Sequence, residues 1–197
     1  MGRRSDHSRG ELEEMILSAG HALMAEQGFA RFSAREVAKR IGYSVGTLYN
    51  VFGSADALVL AINTRTFAAW AEHLRAALAE AGDDRIRALV AGYFAFARAN
   101  PNLWMAIYDH RLPPGMAMPE RDAAARGVLT GIVADEVAAA LGTLPGERSV
   151  ALARSLIATV HGHCAFDLTG SFALMGEGAP MEAALARVRE SLAAARD

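Results

Sequence analysis

One cysteine, one lysine and no uninterrupted apolar run of membrane length mark this 197-residue chain by what is scarce. A lone Cys164 cannot close an internal disulfide, so a reducing, cytoplasmic setting is expected. Charges or glycines interrupt every apolar stretch short of the ~18–20 residues that a membrane helix needs. No apolar stretch follows the charged N-terminus, so no secretory signal is expected there. A charge imbalance is missing too: 20 basic against 22 acidic side chains leave a formal −2, no global sign of a nucleic-acid partner. Of the 20 basic residues, 19 are arginine and only Lys39 is lysine. Prolines number six, and Pro113, Pro114 and Pro119, with Gly115, form the strongest loop signal in the chain.

What is present is a globular composition, 52% hydrophobic and 21% charged. The length suits one or two domains and can bury a core without disulfide or metal staples. Helical periodicity dominates. Leu12, Met15, Ile16, Ala19, Leu23 and Met24 recur at steps of three and four, which predicts a helix over 11–27 closed by Gly28. Ser33-Ala-Arg-Glu36 has the form of a capping box opening a short helix with Val37, Ala38 and Ile41, which Gly42 stops. Ser44 can cap the next helix and Ser54 a long one over 55–80. Ile86, Leu89, Val90, Tyr93, Phe94 and Ala97 form a further stripe; Asn100-Pro101-Asn102 ends it and caps a short helix. Helices over about 121–141 and 147–168 follow, then a glycine-rich loop and a last helix with Met181, Leu185, Val188 and Leu192. No strand pair is evident, so the fold class is all-α with about nine helices.

Residues 33–52 are the informative stretch. Two short helices around a glycine turn outline a helix-turn-helix, whose second helix enters the major groove with its N-terminal residues at base edges. That helix offers Ser44, Thr47 and Tyr49 as hydroxyls, while Gly46, lacking a side chain, lets the backbone approach DNA. Leu48 and Phe52 are spaced to bury the opposite face. Arg35 is the long donor at the motif's edge and can pair with a guanine; Asn50 can read an adenine, and Val45 can touch a thymine methyl.

The run Gly42-x-Ser44-x-Gly46-Thr47-Leu48-Tyr49-x-x-Phe52, within a pattern from Phe29 to Leu58, resembles the DNA-binding domain of TetR-family transcriptional repressors over about residues 10–60. The resemblance implies an N-terminal three-helix DNA-binding domain (1–53) followed by a larger helical ligand-binding and dimerisation domain (54–197). It implies a homodimer on a pseudo-palindromic double-stranded operator, released by a small apolar or aromatic effector, with no cofactor, metal or membrane partner. The family's DNA contacts fall on Ser33, Ala34, Arg35, Ser44, Val45, Gly46, Thr47, Tyr49 and Asn50. The chain departs where the family usually places a phosphate-binding lysine, here Ala55, and a histidine or tyrosine, here Val51. Arg3, Arg4 and Arg9 can compensate as an arm on DNA, against the reading of an ordinary terminus.

In the larger region the candidate ligand contacts are Trp70, Phe94, Trp104, Tyr108 and His161, weighed against plain core packing. The run His161-Gly-His-Cys164 has no second ligand cluster for a metal. Its His161-Gly162 pair resembles one found in a subgroup of the family that carries a tryptophan at the position of Ile157. Met181, Leu185, Val188 and Leu192, with the small residues Ala151, Ser155, Ala158 and Gly162, suggest that the last two long helices form the dimer interface. Two other readings stand beside this one: a regulator sensing thiol oxidation through Cys164, and an all-helical enzyme using the adjacent Asp109-His110.

Overall fold

A computed structural model describes residues 7–196. Among them lie ten helices and no strand: α1 (Arg9–Gln27), α2 (Ala34–Ile41), α3 (Val45–Phe52), α4 (Ala55–Ala79), α5 (Arg85–Ala99), α6 (Pro101–Asp109), α7 (Glu120–Leu141), α8 (Glu147–Leu168), α9 (Ser171–Leu174) and α10 (Pro180–Ala194). A single 3-10 turn (Phe29–Arg31) joins α1 to α2. The extra helix relative to the sequence reading is α9, one turn inside the glycine-rich loop and too short to show a periodicity.

The chain forms two compact units. The first runs to Thr66 and resumes over Asn100–Ala123; the second holds Phe67–Ala99 and the stretch from Ala124 onward. The first unit has a closed apolar core in which Ile16, Leu23 and Met24 of α1 meet Val37 of α2, Leu48 of α3 and Leu58 and Ile62 of α4, together with Leu103 and Ala106 of α6. Gly20 allows α1 to come this close to α4, because a Cβ there would stand 2.7 Å from Ile62 Cδ1. Polar ties reinforce the packing. The buried Asn63 amide donates to the Ala106 carbonyl at 3.1 Å, and Asn102 donates to the Ala25 carbonyl at 2.8 Å.

Two helix starts differ from expectation. Ser33 stands at the N-cap of α2 but makes no side-chain cap bond. The Glu36 carboxylate turns instead to the Lys39 ammonium, one turn on, at 3.4 Å. The capping box lies at α1, where Ser8 Oγ accepts from the Glu11 amide and Glu11 accepts from the Ser8 amide. Likewise Asn100 does not cap α6 through its side chain; Pro101 at the first helical position presets the backbone instead.

In the second unit Trp70 is fully buried, stacked on Phe96 with centroids 5.2 Å apart and met edge-on by Tyr93 at 4.7 Å. A Cβ on Gly92 would stand 2.9 Å from Leu74 Cδ2, so the α4–α5 contact has no spare room. Ion pairs fasten the rim: Arg85 to Glu136, Arg87 to Glu182, Arg98 to Asp167 and Arg189 to Asp84. The α10 seam corrects an expectation. Leu185, Val188 and Leu192 are buried within the chain, where α10 packs on α8 and α5, so they are not an open dimerisation surface. The small residues Ala151, Ser155, Ala158 and Gly162 do face outward along α8, with Phe166 46% exposed at the end of that row.

Candidate nucleic-acid interface and ligand cavity

The turn between α2 and α3 is built by Gly42 at φ 74° and ψ 26°, a left-handed conformation that a side chain resists. Its geometry is closed by the Tyr43 amide donating to the Ala38 carbonyl at 2.9 Å. Ser44 then caps α3: its Oγ accepts from the Thr47 amide at 3.1 Å and lies 3.0 Å from the Thr47 hydroxyl. No acidic residue occupies the first turn of α3, so its amide dipole faces solvent unopposed. On the outer side, Ser44, Gly46, Tyr49 and Asn50 are exposed, Val45 and Thr47 half-buried, and Leu48 is fully buried beneath them. A Cβ at Gly46 would meet only Ser44 Oγ, at an ordinary contact distance of 3.6 Å, so the fold itself does not require glycine there.

Ser33, Ala34 and Arg35 of the α2 start share one surface cleft with Tyr49 of α3. The other DNA-contact candidates, Ser44, Val45, Gly46, Thr47 and Asn50, lie along α3 outside the lining of that cleft. Of the basic groups on the motif, Arg40 is held by Glu26 through two hydrogen bonds of 2.9 and 2.7 Å, which lowers the Glu26 pKa. Lys39 is paired with Glu36, while Arg35 has no ion-pair partner among the described residues. The same cleft holds a residue that sequence reasoning missed. Asp56, in the first turn of α4, lines it beside Ala55 and accepts from Nε2 of the buried His110 ring at 3.1 Å. No local pattern signals a pair 54 positions apart. Arg9 is the first residue of α1, whereas Arg3 and Arg4 lie outside the described residues.

The five ligand candidates do not gather at one place. Trp104 and Tyr108 belong to the first unit and pack edge-on at 5.1 Å; Trp70, Phe94 and His161 belong to the second. Trp70, Phe94 and Trp104 are at most 1% exposed, as core residues are. The second unit contains a small apolar cavity of about 40 Å³, and none of the five lines it. Five helices wall it, represented by Leu74, Tyr93, Val137, Val160 and Val188; every lining side chain is leucine, isoleucine or valine except Tyr93. His161 stands just behind, its Nδ1 3.1 Å from the Tyr93 hydroxyl, and burial holds its pKa below the ordinary histidine value.

The rival chemistries find little support. Cys164 is fully buried, and desolvation pushes its thiol up to about 12, so it stays protonated and unreactive near neutrality. His163 turns its Nδ1 to the Thr159 carbonyl at 2.8 Å. His110 is committed to Asp56 rather than to a reacting pair with Asp109. No group of three or more metal-ligating side chains occurs among the described residues, and no single described helix is long and apolar enough to cross a membrane.

Comparison with known proteins agrees with this geometry. Residues 16–62 match the sequence model of bacterial regulatory proteins of the tetR family, and residues 86–192 match that of the tetracyclin repressor-like C-terminal domain. The HTH-type transcriptional regulator Rv1816 of Mycobacterium tuberculosis is 25% identical over 147 residues, covering 73% of this chain and 62% of that protein. The chain thus spans less than two thirds of the length of the curated relatives it matches. A protein of unknown function from Rhodococcus sp. RHA1 shares the fold with a TM-score of 0.72 at 22% identity, over 98% of both chains. A TetR-family transcriptional regulator from Streptomyces coelicolor does so with a TM-score of 0.65 at 20% identity, over 94% of this chain and 98% of the other. With both parts matched in order along one all-helical chain, it belongs to the TetR family of bacterial transcriptional regulators.

Proposed function

We propose that this regulator is a repressor that binds a pseudo-palindromic operator as a homodimer and leaves it when a small apolar or aromatic effector binds. Residues 1–53 serve DNA recognition, and 54–197 serve ligand binding and dimerisation in the cytoplasm. The observation that carries the reading is the α3 face: a capped N-terminus, three hydroxyls and an exposed glycine that the fold does not require, above a fully buried Leu48. Ser33, Ser44, Thr47 and Tyr49 position the protein on phosphates, Arg35 and Asn50 read base edges, and Ala34, Val45 and Gly46 allow close apolar approach. With Arg40 and Lys39 paired internally, DNA affinity rests on Arg35, hydroxyls and backbone amides, and its salt dependence is shallow.

Two subunits must present their α3 helices about 34–36 Å apart to meet successive major grooves. The exposed small-residue row of α8, continued by Phe166, supplies a surface on which a second copy can pack closely, with α10 beside it. Of the five ligand candidates, His161 keeps a role through its bond to Tyr93; Trp70, Phe94 and Trp104 act as core. An electrophoretic shift on the DNA upstream of the protein's own gene tests the reading. A retarded band that disappears with Gly46→Phe supports it; no binding to that DNA or to any selected duplex overturns it.

A further inference from the structure

We propose that His110 is a positioning residue for DNA binding: it holds the Asp56 carboxylate at the cleft of the first unit and, when protonated, cancels its charge, so that a duplex binds with uptake of a proton. The inference rests on the repressor reading for its partner, duplex DNA, and adds a residue outside the contact face.

A carboxylate at this place calls for a reason. Asp56 lines the cleft with Ser33, Arg35 and Tyr49, the groups proposed above for phosphate and base contacts. An anion there repels phosphate, the group that dominates DNA affinity. Capping does not account for it, because Ser54 Oγ already accepts from the Ala57 amide at 3.1 Å. A first-turn acid favours the α4 dipole, but that asks for no histidine. The partner is the telling feature. His110, at the C-terminal end of α6, has a side chain only 4% exposed, against 43% for Asp56, and its Nε2 lies 3.1 Å from Asp56 Oδ1. One end of the pair is buried and the other reaches the cleft.

The chemistry of the pair separates geometry from charge. An ionised carboxylate only accepts, so Nε2 carries a proton in both states of the ring and the bond survives in both. The proton that comes and goes sits on Nδ1. Without it the pair is anionic; with it the pair is neutral, and histidine is the side chain suited to that change between pH 5 and 8. The surrounding groups do not cancel the charge instead. Phe29, whose ring lies 5.7 Å from that of His110, is uncharged. Asp109 and Arg111, flanking it on its own segment, are opposite in sign and exposed to water. Arg35 and Tyr49 share the cleft with Asp56, and Arg35 forms no ion pair with it. Phosphates brought to the cleft favour the neutral pair over the anionic one. Binding then draws a proton onto Nδ1, and by linkage acidification tightens binding.

The test is fluorescence anisotropy with the full chain and a duplex enriched from a random pool, at pH 6 and pH 8 and one salt concentration. Wild type, Asp56→Asn and His110→Gln are compared. From pH 8 to pH 6 the wild type should gain about tenfold in affinity relative to Asp56→Asn, two subunits each contributing one partly screened charge contact. Asp56→Asn should therefore bind more tightly than wild type at pH 8 and match it at pH 6. His110→Gln, whose amide can still donate to Asp56 but takes up no proton, should stay at the weaker level at both pH values with its Tm kept. If His110→Gln does not fold, the Asp56→Asn profile decides, since it leaves the ring in place. A purely structural His110 would lower affinity equally at both pH values; that result, or one pH profile shared by all three proteins, overturns the proposal while DNA binding stands. Failure of all three to bind any duplex overturns the repressor reading and this inference with it.

Discussion

The two compact units bury apolar cores of different make, aliphatic in the first and built partly on the Trp70, Phe96 and Tyr93 rings in the second, and they also differ in what they expose. The first turns hydroxyls, an arginine and a glycine outward on α2 and α3, over a core in which Leu48 and Val37 are fully buried. The second carries exposed pairs of arginine and carboxylate, as the first also does at Arg40 and Glu26, and keeps a small apolar space inside. The difference teaches where each kind of recognition is written. A unit that reads a partner of fixed shape carries its contacts as residue identities at set positions on one short helix. The second unit keeps only a small apolar space, drawn from five helices far apart in the sequence.

That contrast can be broken by substitution. The largest effect is expected inside the second unit. Trp70→Ala removes the ring between Phe96 and Tyr93 and should cost about 3–5 kcal/mol, seen as a lowered Tm in calorimetry. If DNA affinity of the folded variant fell as steeply, the division between the units would fail. A middle-sized effect should come from Arg35→Ala. Loss of one base-edge donor costs about 1–3 kcal/mol of operator affinity, measured by anisotropy, with Tm nearly unchanged because Arg35 has no ion-pair partner among the described residues. An operator affinity that did not change would move the recognition surface elsewhere.

The smallest effect sharpens the comparison through pH. His21 in the first unit and His161 in the second both have pKa values lowered by burial, His21 also by Arg65. The folded state therefore binds fewer protons than the unfolded chain, whose histidines titrate near about 6.5. Stability from both groups is complete above that value and is lost as pH falls through it toward the folded values. Calorimetry from pH 7.5 to 5.5 should show Tm declining on acidification, less so in His161→Gln. A Tm that rose on acidification, or an identical slope in the variant, would show that His161 is not held neutral by the fold.

Much of the first unit was legible in the sequence because its signals are local. Gly42, Ser44 and Gly46 act within one turn of where they stand, and Ser44 and Ser54 cap their helices as read. The expected box at Ser33 failed for an equally local reason, the Lys39 ammonium one turn from Glu36. What escaped is long-range. Asp56 lines the cleft beside Arg35 and Tyr49 as a partner of His110, 54 residues away, and the cavity wall draws on positions from Leu74 to Val188. Of the aromatic candidates, Trp70, Phe94 and Trp104 are buried while Tyr108 is exposed, and Trp104 and Tyr108 lie in the first unit. Likewise the apolar period of α10 identified a packing face without telling that α8 and α5 of the same chain cover it.

The central claim is that α3 reads DNA through an outer face the fold does not otherwise need. The most direct measurement is selection of bound duplexes from a random pool by the intact chain, repeated with Gly46→Phe. Because a Cβ at Gly46 meets only Ser44 Oγ, at an ordinary 3.6 Å, the variant should fold with a nearly unchanged Tm. The account predicts that the intact chain enriches one pseudo-palindromic sequence and the variant enriches none. Enrichment of the same sequence by both proteins would contradict it.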